Sequence, residues 1–220
     1  MVSADTLAGK TKAEVRDVIM PIAEEQVGKF DSFTDEEYKA TKYDLVGHRG
    51  KYGEAPLAVT KGFAKGLTLD MHKAFREDIG TNITKMNSEM KYTLLEEIDG
   101  AKVYLQQIKM PMFISNRATI SIFHTIENDD GSLIFFNTSV GNEDLYEKYK
   151  DKVGSDVQAI NHFNYTKLVP GDGGCEVTMV TSMDVAGSIP DMIKQKSAGR
   201  MLRAPEKMIH LMITGEVLKD

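Results

Sequence analysis

The chain has 220 residues, of which 41% are apolar and 27% charged, and this composition excludes a disordered or fibrous protein. The formal net charge of −6 argues against a general nucleic-acid-binding protein. The single cysteine, Cys175, excludes a disulfide framework and a multi-cysteine zinc site.

The first predicted element is a helix that begins near residue 11. Thr11 and Glu14 have the spacing of a capping box, in which each side chain accepts a hydrogen bond from the backbone of the other residue. Pro21 should bend this helix and Gly28 should end it. Between residues 38 and 67 the pattern is mixed and rich in glycine, and we expect two or three short strands there.

A second helix should follow, with Thr68 as its N-cap and Gly80 as its end. From about residue 91 the apolar period changes to two, which is typical of strands. Asp99-Gly100 and Asp130-Gly131 have the chemistry of tight turns, so neighbouring strands should be antiparallel. The strands are predicted at about 92–98, 102–109, 118–127, 133–140, 159–169 and 175–184, with a short helix or a long loop between residues 141 and 155.

The last predicted element is a long helix from Pro190 to about Val217. Its apolar residues fall into two sets that lie about 150–170° apart around the helix axis, so a straight helix would expose one set. Gly199 and Pro205 mark the positions where a kink would turn both sets inward. We therefore predict a C-terminal helix that is kinked or broken.

These elements predict an α+β fold in which a strongly curved antiparallel sheet wraps around the long C-terminal helix. Such an arrangement should enclose an internal apolar cavity. Since a domain usually has ~100–200 residues, we expect one domain over residues 1–220, with its core at about 11–217. No feature requires a parallel sheet, so a doubly wound nucleotide-binding fold is not expected.

The sequence shows no motif for catalysis or for a metal ion. The histidines lie far apart without metal-binding spacing, and neither G-x-S-x-G nor a phosphate-binding loop occurs. Cys175 is interpreted as a small buried hydrophobe. We therefore expect no catalytic residue, no metal and no cofactor.

Single polar residues on otherwise apolar strand faces are the main candidates for a site. Gln106, His124 and Asn137 have this placement, and a buried polar group needs a partner or water. Each is either satisfied by a neighbour in the core or orients a ligand in an apolar pocket. Both interpretations remain open from the residues alone.

The composition contains two further signals. Thirteen methionines occur beside no tryptophan, and methionine is the flexible filler of adaptable apolar surfaces. The C-terminal segment 190–210 has a surplus of basic residues, which form either a solvated helix face or a docking surface for an anionic membrane, at ~1 kcal/mol per residue. No apolar run reaches the ~18–20 residues that span a bilayer, and no signal-peptide core is present, so we expect a cytoplasmic protein.

The second half carries four motifs in a fixed order, namely 111–117 (PMFISNR), 136–140 (FNTSV), 168–178 (LVPGDGGCEVT) and 184–190 (DVAGSIP). In order and spacing they resemble the StAR-related lipid-transfer (START) domains over about residues 91–212. The resemblance implies a helix-grip fold that encloses one lipid. It also implies a gate formed by the terminal helix and a loop near Pro111–Phe113.

The chain departs from the family pattern at several positions. Ala118 follows Arg117 where the family usually has Asp, and Met192 stands where the family usually has Trp. Sterol-carrying members resemble one another in an internal acid–base pair. Tyr104 and Phe123 occupy those positions here, so the pair is missing.

Ceramide-carrying members use a strand Gln and the Asn of an Asn-x-Ser-Val motif to bind the amide and hydroxyls of the lipid. Gln106 and Asn137 match these positions, whereas Lys85 stands where those members have an acidic residue. The resemblance therefore favours ceramide or another sphingolipid, or a glycerophospholipid, over a sterol.

We thus expect a monomeric, non-catalytic carrier that binds one lipid, touches membranes transiently and has no nucleic-acid partner. One alternative is a sensor that binds the lipid without moving it, and another is a cyclase or hydrolase that would use His124 with Tyr104. The expected lipid-binding residues are Tyr104, Gln106, Phe123, His124, Asn137, Met179, Met192 and Met208. The expected gate and membrane-contact residues are Met112, Phe113, Lys194, Lys196 and Arg200.

Overall fold

A single sheet of ten strands forms the centre of the protein, and helices cover both of its faces. The computed structural model describes residues 4–7, 9–33, 37–111, 113–187 and 189–218. The strands are β1 (Glu37–Lys39), β2 (Asp44–Tyr52), β3 (Ala55–Lys65), β4 (Met90–Ile98), β5 (Ala101–Ile108), β6 (Arg117–Glu127), β7 (Leu133–Thr138), β8 (Val157–Gln158), β9 (Ile160–Gly171) and β10 (Gly174–Asp184). The helices are α1 (Ala4–Leu7), α2 (Lys12–Gly28), α3 (Leu69–Glu77), α4 (Ile79–Met86), α5 (Glu143–Lys148), α6 (Lys150–Val153) and α7 (Asp191–Thr214), with a short 3₁₀ helix at Phe30–Ser32.

The strand order is β1-β2-β3-β10-β9-β7-β6-β5-β4, and every pair along this path is antiparallel. Only β8 pairs in parallel, with the first residues of β6. The predicted strands of the second half agree with the observed strands to within about two residues at each end. The expected α+β architecture is therefore confirmed.

The two faces of the sheet have different covers. On β10, Met179 packs in a cluster with residues of α3, α4 and α7, whereas its neighbour Val180 packs in a cluster with residues of α2. Successive side chains of a strand point to opposite faces, so these helices lie on opposite sides of the sheet. We call the two sides the α7 face and the α2 face.

Helix α2 begins as the sequence predicts. The Thr11 hydroxyl accepts a hydrogen bond from the Glu14 amide at 3.3 Å, and the Glu14 carboxylate accepts one from the Thr11 amide at 2.7 Å. Val15, Ile19 and Ala23 then form its buried stripe against the sheet. The capping box thus fixes the start of the helix that closes the α2 face.

The predicted end of the second helix at Gly80 is wrong. Helix α3 begins after its N-cap Thr68, as expected, but ends at Glu77, and Gly80 lies in the first turn of α4. A Cβ atom at Gly80 would lie 2.9 Å from the carbonyl oxygen of Tyr92. The glycine is needed for the close approach of α4 to β4, and the sequence pattern does not distinguish this use from a helix stop.

Strands β2 and β3 have nine and eleven residues and are longer than the short strands that the sequence predicts. At Gly62 the backbone has φ +148°, and a Cβ atom would lie only 1.9 Å from the carbonyl oxygen of Asp44 on β2. A glycine inside a strand often marks such a close approach of two backbones. It also interrupts the alternating pattern by which a strand is recognised.

Helix α7 is continuous over its 24 residues, so the predicted break does not occur. Pro205 lies inside the helix and is buried. Next to it, the carboxylate of Glu206 accepts hydrogen bonds from the backbone amides of Thr41 and Lys42, each at 2.7 Å. We attribute the continuity to tertiary contacts such as these, which compensate for the backbone hydrogen bond that a proline removes.

Candidate functional site

Four of the expected lipid-binding residues share one face of the sheet. Tyr104 and Gln106 lie two apart on β5, Phe123 pairs with Lys102 of β5, and Asn137 of β7 pairs with Phe123. Directly paired residues of neighbouring strands point to the same side. Tyr104 also packs in the cluster that contains α7, so these side chains lie on the α7 face.

Gln106 and Asn137 belong to one buried polar network. The Asn161 amide donates to Asn137 Oδ1 at 2.6 Å and to Ser121 Oγ at 3.2 Å, and Ser121 Oγ donates to Gln106 Oε1 at 3.4 Å. All four residues are at most 3% exposed. The two amides that the sequence nominated are therefore held by two partners, Ser121 and Asn161, that sequence reasoning missed.

The network leaves hydrogen-bond donors unused. Within the described part of the chain, no acceptor binds Nε2 of Gln106 or Nδ2 of Asn137, and Oδ1 of Asn161 has no donor. Buried polar groups are normally paired, and an unpaired one is costly. The network thus has the chemistry to bind a ligand that carries hydroxyl, carbonyl or amide groups.

The side chain of His124 lies on the opposite face of the sheet from Gln106 and Asn137. It pairs with Phe136 of β7, its ring stacks on Phe136 at 6.5 Å between centroids, and Phe136 packs against α2. Burial, followed by the charge of Arg16 on α2, lowers the pKa of His124 to about 4. His124 and Tyr104 point to opposite sides of the sheet, so they do not form the pair that the enzyme alternative requires.

A pocket of about 240 Å³ opens between α3 and strands β5 to β7. Consecutive residues of β6 and β7 border it, His124 among them, which shows that the strand backbone forms part of its wall. Its lining is Lys73, Arg76, Glu77, Gly100, Lys102, Tyr104, Phe123, His124, Thr125, Phe135, Phe136 and Asn137. The sequence predicted an apolar cavity, whereas this pocket combines aromatic and charged side chains.

Flexible apolar side chains fill the rest of the space between the sheet and the helices. Met179 of β10 and Met208 of α7 are buried there, and Met71, Met86 and Met212 pack against the same cluster. Methionine adapts its shape at low cost because its side chain is unbranched. This region of the α7 face is therefore suited to rearrangement around an apolar guest.

Of the expected gate residues, the structure describes Phe113 and Arg200 in full. Phe113 is 98% exposed and has φ +76°. Arg200 donates to the Glu89 carboxylate at 2.6 Å, so its charge is paired at the surface. Met112 and the side chains of Met192, Lys194 and Lys196 lie outside the described residues.

Arg117 is buried, and its guanidinium is bound by backbone carbonyl groups. Its guanidinium donates to the carbonyl oxygens of Val185 at 2.6 Å and of Ala186 at 3.0 Å, and also to that of Ser115. Three backbone carbonyls thus accept hydrogen bonds from one charged donor group. The side chain connects the loop after β5 to the segment that enters α7.

The described residues contain no group of His, Cys, Asp and Glu side chains arranged to hold a metal ion. Among the same residues, no helix is both long and apolar enough to span a membrane.

The sequence matches no known protein-family profile and no curated protein. Solved structures do match the fold. Human STARD10 superimposes with a TM-score of 0.65 at 15% identity over 86% of this chain and 79% of that chain. Human StAR-related lipid transfer protein 5 gives 0.61 at 12% identity over 91% and 98%, and a STAR-related lipid transfer protein from Xanthomonas axonopodis gives 0.59 at 15% over 82% and 97%.

These structures share the extended antiparallel sheet and the long C-terminal helix described above. The order and spacing of the sequence motifs and the superposition of the structures indicate the same architecture. The chain therefore has the helix-grip fold of the START domains.

Proposed function

We propose that the protein binds one lipid molecule between the α7 face of the sheet and helices α3, α4 and α7, and transfers it between membranes. The observation that carries this proposal is a buried amide network with unused donors at the edge of an apolar, methionine-containing cluster. The solved structures with this fold include proteins named for lipid transfer, which supports the same function.

The apolar cluster would supply most of the affinity. Each buried methylene of a lipid chain contributes ~0.8 kcal/mol. Pockets for small ligands usually have ~300–1,000 Å³, so the observed 240 Å³ fits a head group better than a whole lipid. Entry of the chains therefore requires the side chains around Met179 and Met208 to move, and the flexibility of methionine makes this feasible.

The amide network would orient the polar part of the lipid. Nε2 of Gln106 and Nδ2 of Asn137 are donors without acceptors in the described residues, and both lie on the α7 face. A sphingolipid or a glycerophospholipid offers amide, hydroxyl or ester oxygens that accept from such donors. We therefore favour these classes over a sterol, whose polar part is a single hydroxyl.

Opening would involve the loop that carries Phe113 and the first part of α7. Phe113 is almost fully exposed, and large aromatic residues partition to the membrane interface. Arg117 links this loop to the segment before α7, so a membrane contact at one would reach the other. Buried Glu206 holds the second half of α7 to residues 41–42, whereas Arg200 in the first half pairs with Glu89 only at the surface, so the first half would be the part that opens.

Transfer between vesicles tests the proposal. Donor vesicles would contain fluorescent ceramide, phosphatidylcholine or cholesterol, and the protein should accelerate the movement of ceramide or phosphatidylcholine to unlabelled acceptor vesicles. The double variant Gln106→Leu/Asn137→Leu should reduce lipid affinity about 30-fold, because two hydrogen bonds of about 1 kcal/mol each are lost.

His124→Gln on the opposite face is the matched control and should transfer at the wild-type rate, with folding of each variant checked by thermal unfolding. Binding without acceleration would indicate a lipid sensor. Absence of both binding and transfer for all three lipids would contradict the proposal.

A further inference from the structure

The pocket between α3 and strands β5 to β7 contains a cation without a counter-ion. Nε of Arg76 is buried and has no hydrogen-bond partner, and no carboxylate in the described residues pairs with this side chain. The guanidinium carbon lies 5.9 and 5.1 Å from the ring centroids of Phe75 and Phe135, and the phenol of Tyr92 is close enough to interact with its charge. The side chain as a whole is half-buried, and contacts with aromatic faces compensate only in part for the water that Nε has lost.

The other charged groups at the pocket do not neutralise Arg76. Lys73 already pairs with Glu127 at 2.7 Å, and Glu77 is exposed to solvent. Lys102 also borders the pocket and has no ion pair among the described residues. The pocket therefore has a positive balance.

Two uncharged side chains at the pocket also carry hydrogen-bond donors that have no acceptor in the described residues. The hydroxyl of Tyr104 and Nδ2 of Asn137 have no acceptor in the described part of the chain, and both residues border the pocket. Burial lowers the pKa of Arg76 to about 10, so the guanidinium stays charged at neutral pH. A guanidinium, a phenol and an amide that border one pocket without acceptors offer the donors that a group with several oxygen atoms requires.

His72, one helical turn before Arg76 on α3, does not add a second positive charge at this place. It is fully buried, packs against Phe135 with 4.2 Å between ring centroids and a tilt of 31°, and has no hydrogen bond at either ring nitrogen. Burial and the nearby charge of Arg76 lower the pKa of His72 well below its usual 6.5, so the ring is neutral at pH 7. Arg76 is therefore the cation that faces the interior from this part of α3.

We propose that this pocket binds the oxyanion of an acidic amphiphile, a carboxylate or a phosphate, with Arg76 as its ion-pair partner. This inference rests on the proposed lipid-binding function and narrows the ligand to an anionic class. The apolar chain of the ligand would extend toward the methionine-containing cluster. Lys102 would attract the anion at the mouth, and Tyr104 and Asn137 would donate to its remaining oxygens.

Calorimetric titration of the lipid-free protein tests the inference with three probes: oleate, oleyl alcohol and inorganic phosphate. Oleate and oleyl alcohol have the same chain and differ in charge, while phosphate supplies the anion without a chain. Wild-type protein should bind oleate at least about 10-fold more tightly than oleyl alcohol, because truncating or removing one partner of a buried ion pair costs this much or more. Phosphate alone should bind much more weakly than oleate.

Arg76→Gln should weaken oleate binding at least about 10-fold and leave oleyl alcohol unchanged. Arg76→Lys, which keeps the charge, should retain part of the preference for oleate. It replaces Arg76→Gln in the test if that variant does not fold. Arg203→Gln removes an exposed arginine of α7 and should bind all probes as the wild type does. The melting temperature of the lipid-free Arg76→Gln protein should equal or exceed that of the wild type, because an uncompensated charge is removed.

The outcomes separate this inference from the proposed function. Equal binding of oleate and oleyl alcohol, or oleate binding unaffected by Arg76→Gln, would overturn the inference while lipid binding stands. Phosphate binding as tight as oleate binding would identify a site for a free anion and overturn the proposal that the ligand is an amphiphile. If neither amphiphile binds, the inference is overturned, and vesicle transfer of ceramide and phosphatidylcholine decides the proposed function separately.

Discussion

Arg117 of β6 donates from Nε to the carbonyl oxygen of Val185 at 2.6 Å, and this bond joins two segments that are far apart in the chain. Further bonds from the same guanidinium reach the carbonyls of Ala186 and Ser115. A Cβ atom at Gly187 would lie 3.3 Å from Nη2 of Arg117, which shows how closely the chain wraps around it. The position of the segment that enters α7 therefore depends on one buried side chain.

Replacing Arg117 with methionine should lower the free energy of unfolding by about 3 kcal/mol, because the carbonyls lose hydrogen bonds to a charged donor. Arg117→Lys should recover only part of this loss, since an ammonium lacks the planar fork that reaches all three oxygens. Urea unfolding measures both values. A methionine variant as stable as the wild type would show that the bonds have no net effect.

Phe113 has a strained backbone conformation and an exposed side chain. A non-glycine residue with positive φ costs ~1–2 kcal/mol, and this side chain is almost entirely in solvent. Phe113→Gly should therefore raise the free energy of unfolding by about 1 kcal/mol. It should also weaken association with vesicles, as measured by flotation, because the exposed ring is lost.

Val217, which is 40% exposed near the end of the chain, offers a control for Phe113. Val217→Ser also removes an exposed apolar side chain and should leave vesicle association unchanged. If both variants reduce flotation equally, exposed apolar area in general is responsible, and the loop has no special role.

Glu206 should make stability depend on pH. Burial raises the pKa of this carboxyl, but the hydrogen bonds from Tyr38, Lys42 and Thr41 together outweigh burial and hold the pKa below its usual 4.5. Because the pKa is lower in the folded state, the contribution to stability is present above about pH 4.5 and is lost as the pH falls through the lowered value.

Glu206→Gln should lower the free energy of unfolding at pH 7 by about 1–3 kcal/mol, since charge-assisted hydrogen bonds are replaced by weaker ones. It should also flatten the loss of stability below about pH 4.5. Thermal unfolding at a series of pH values provides the test. An unchanged acid limb would show that other carboxyls cause it.

His124 should also make stability depend on pH, at higher pH values than Glu206 does. Its pKa is about 4 in the folded protein and 6.5 ordinarily, so the unfolded chain binds the proton first as the pH falls. The stability is thus complete above pH 6.5 and decreases toward pH 4. His124→Gln should reduce this decrease, with the same thermal unfolding series, while lipid affinity stays at the wild-type value because the ring lies on the α2 face.

The strands of the second half could be predicted because their alternation is regular and Asp-Gly turns separate several of them. The shared face of Gln106 and Asn137 depends on the register of β5, β6 and β7, which local periodicity does not determine. Helix α2 could be predicted for a local reason, since its capping box involves residues only three apart.

The position of His124 shows why the rest of the site could not be predicted. Period two assigns Ile120, Ile122 and His124 to one side of β6, but it does not say which side faces a cavity. The apolar side was the expected lining of the cavity. In the structure that side packs against α2 and α5, and the opposite side carries Ser121 and the candidate site.

Asn161 and Arg76 were missed for a related reason. Each has an ordinary sequence context, and its importance arises from residues at least 24 positions away along the chain, such as Asn137 for Asn161. The continuity of α7 is also a tertiary effect, because Glu206 binds residues 41–42, 164 positions or more away in sequence. Local patterns contain no information on such contacts.

Native mass spectrometry after incubation with mixed vesicles tests the central claim most directly. We expect one adduct per chain with the mass of a single lipid, and loss of most of this adduct in the Gln106→Leu/Asn137→Leu double variant. Protein that emerges without lipid, or with a variable number of lipids that the double variant retains, would contradict a single defined binding site on the α7 face.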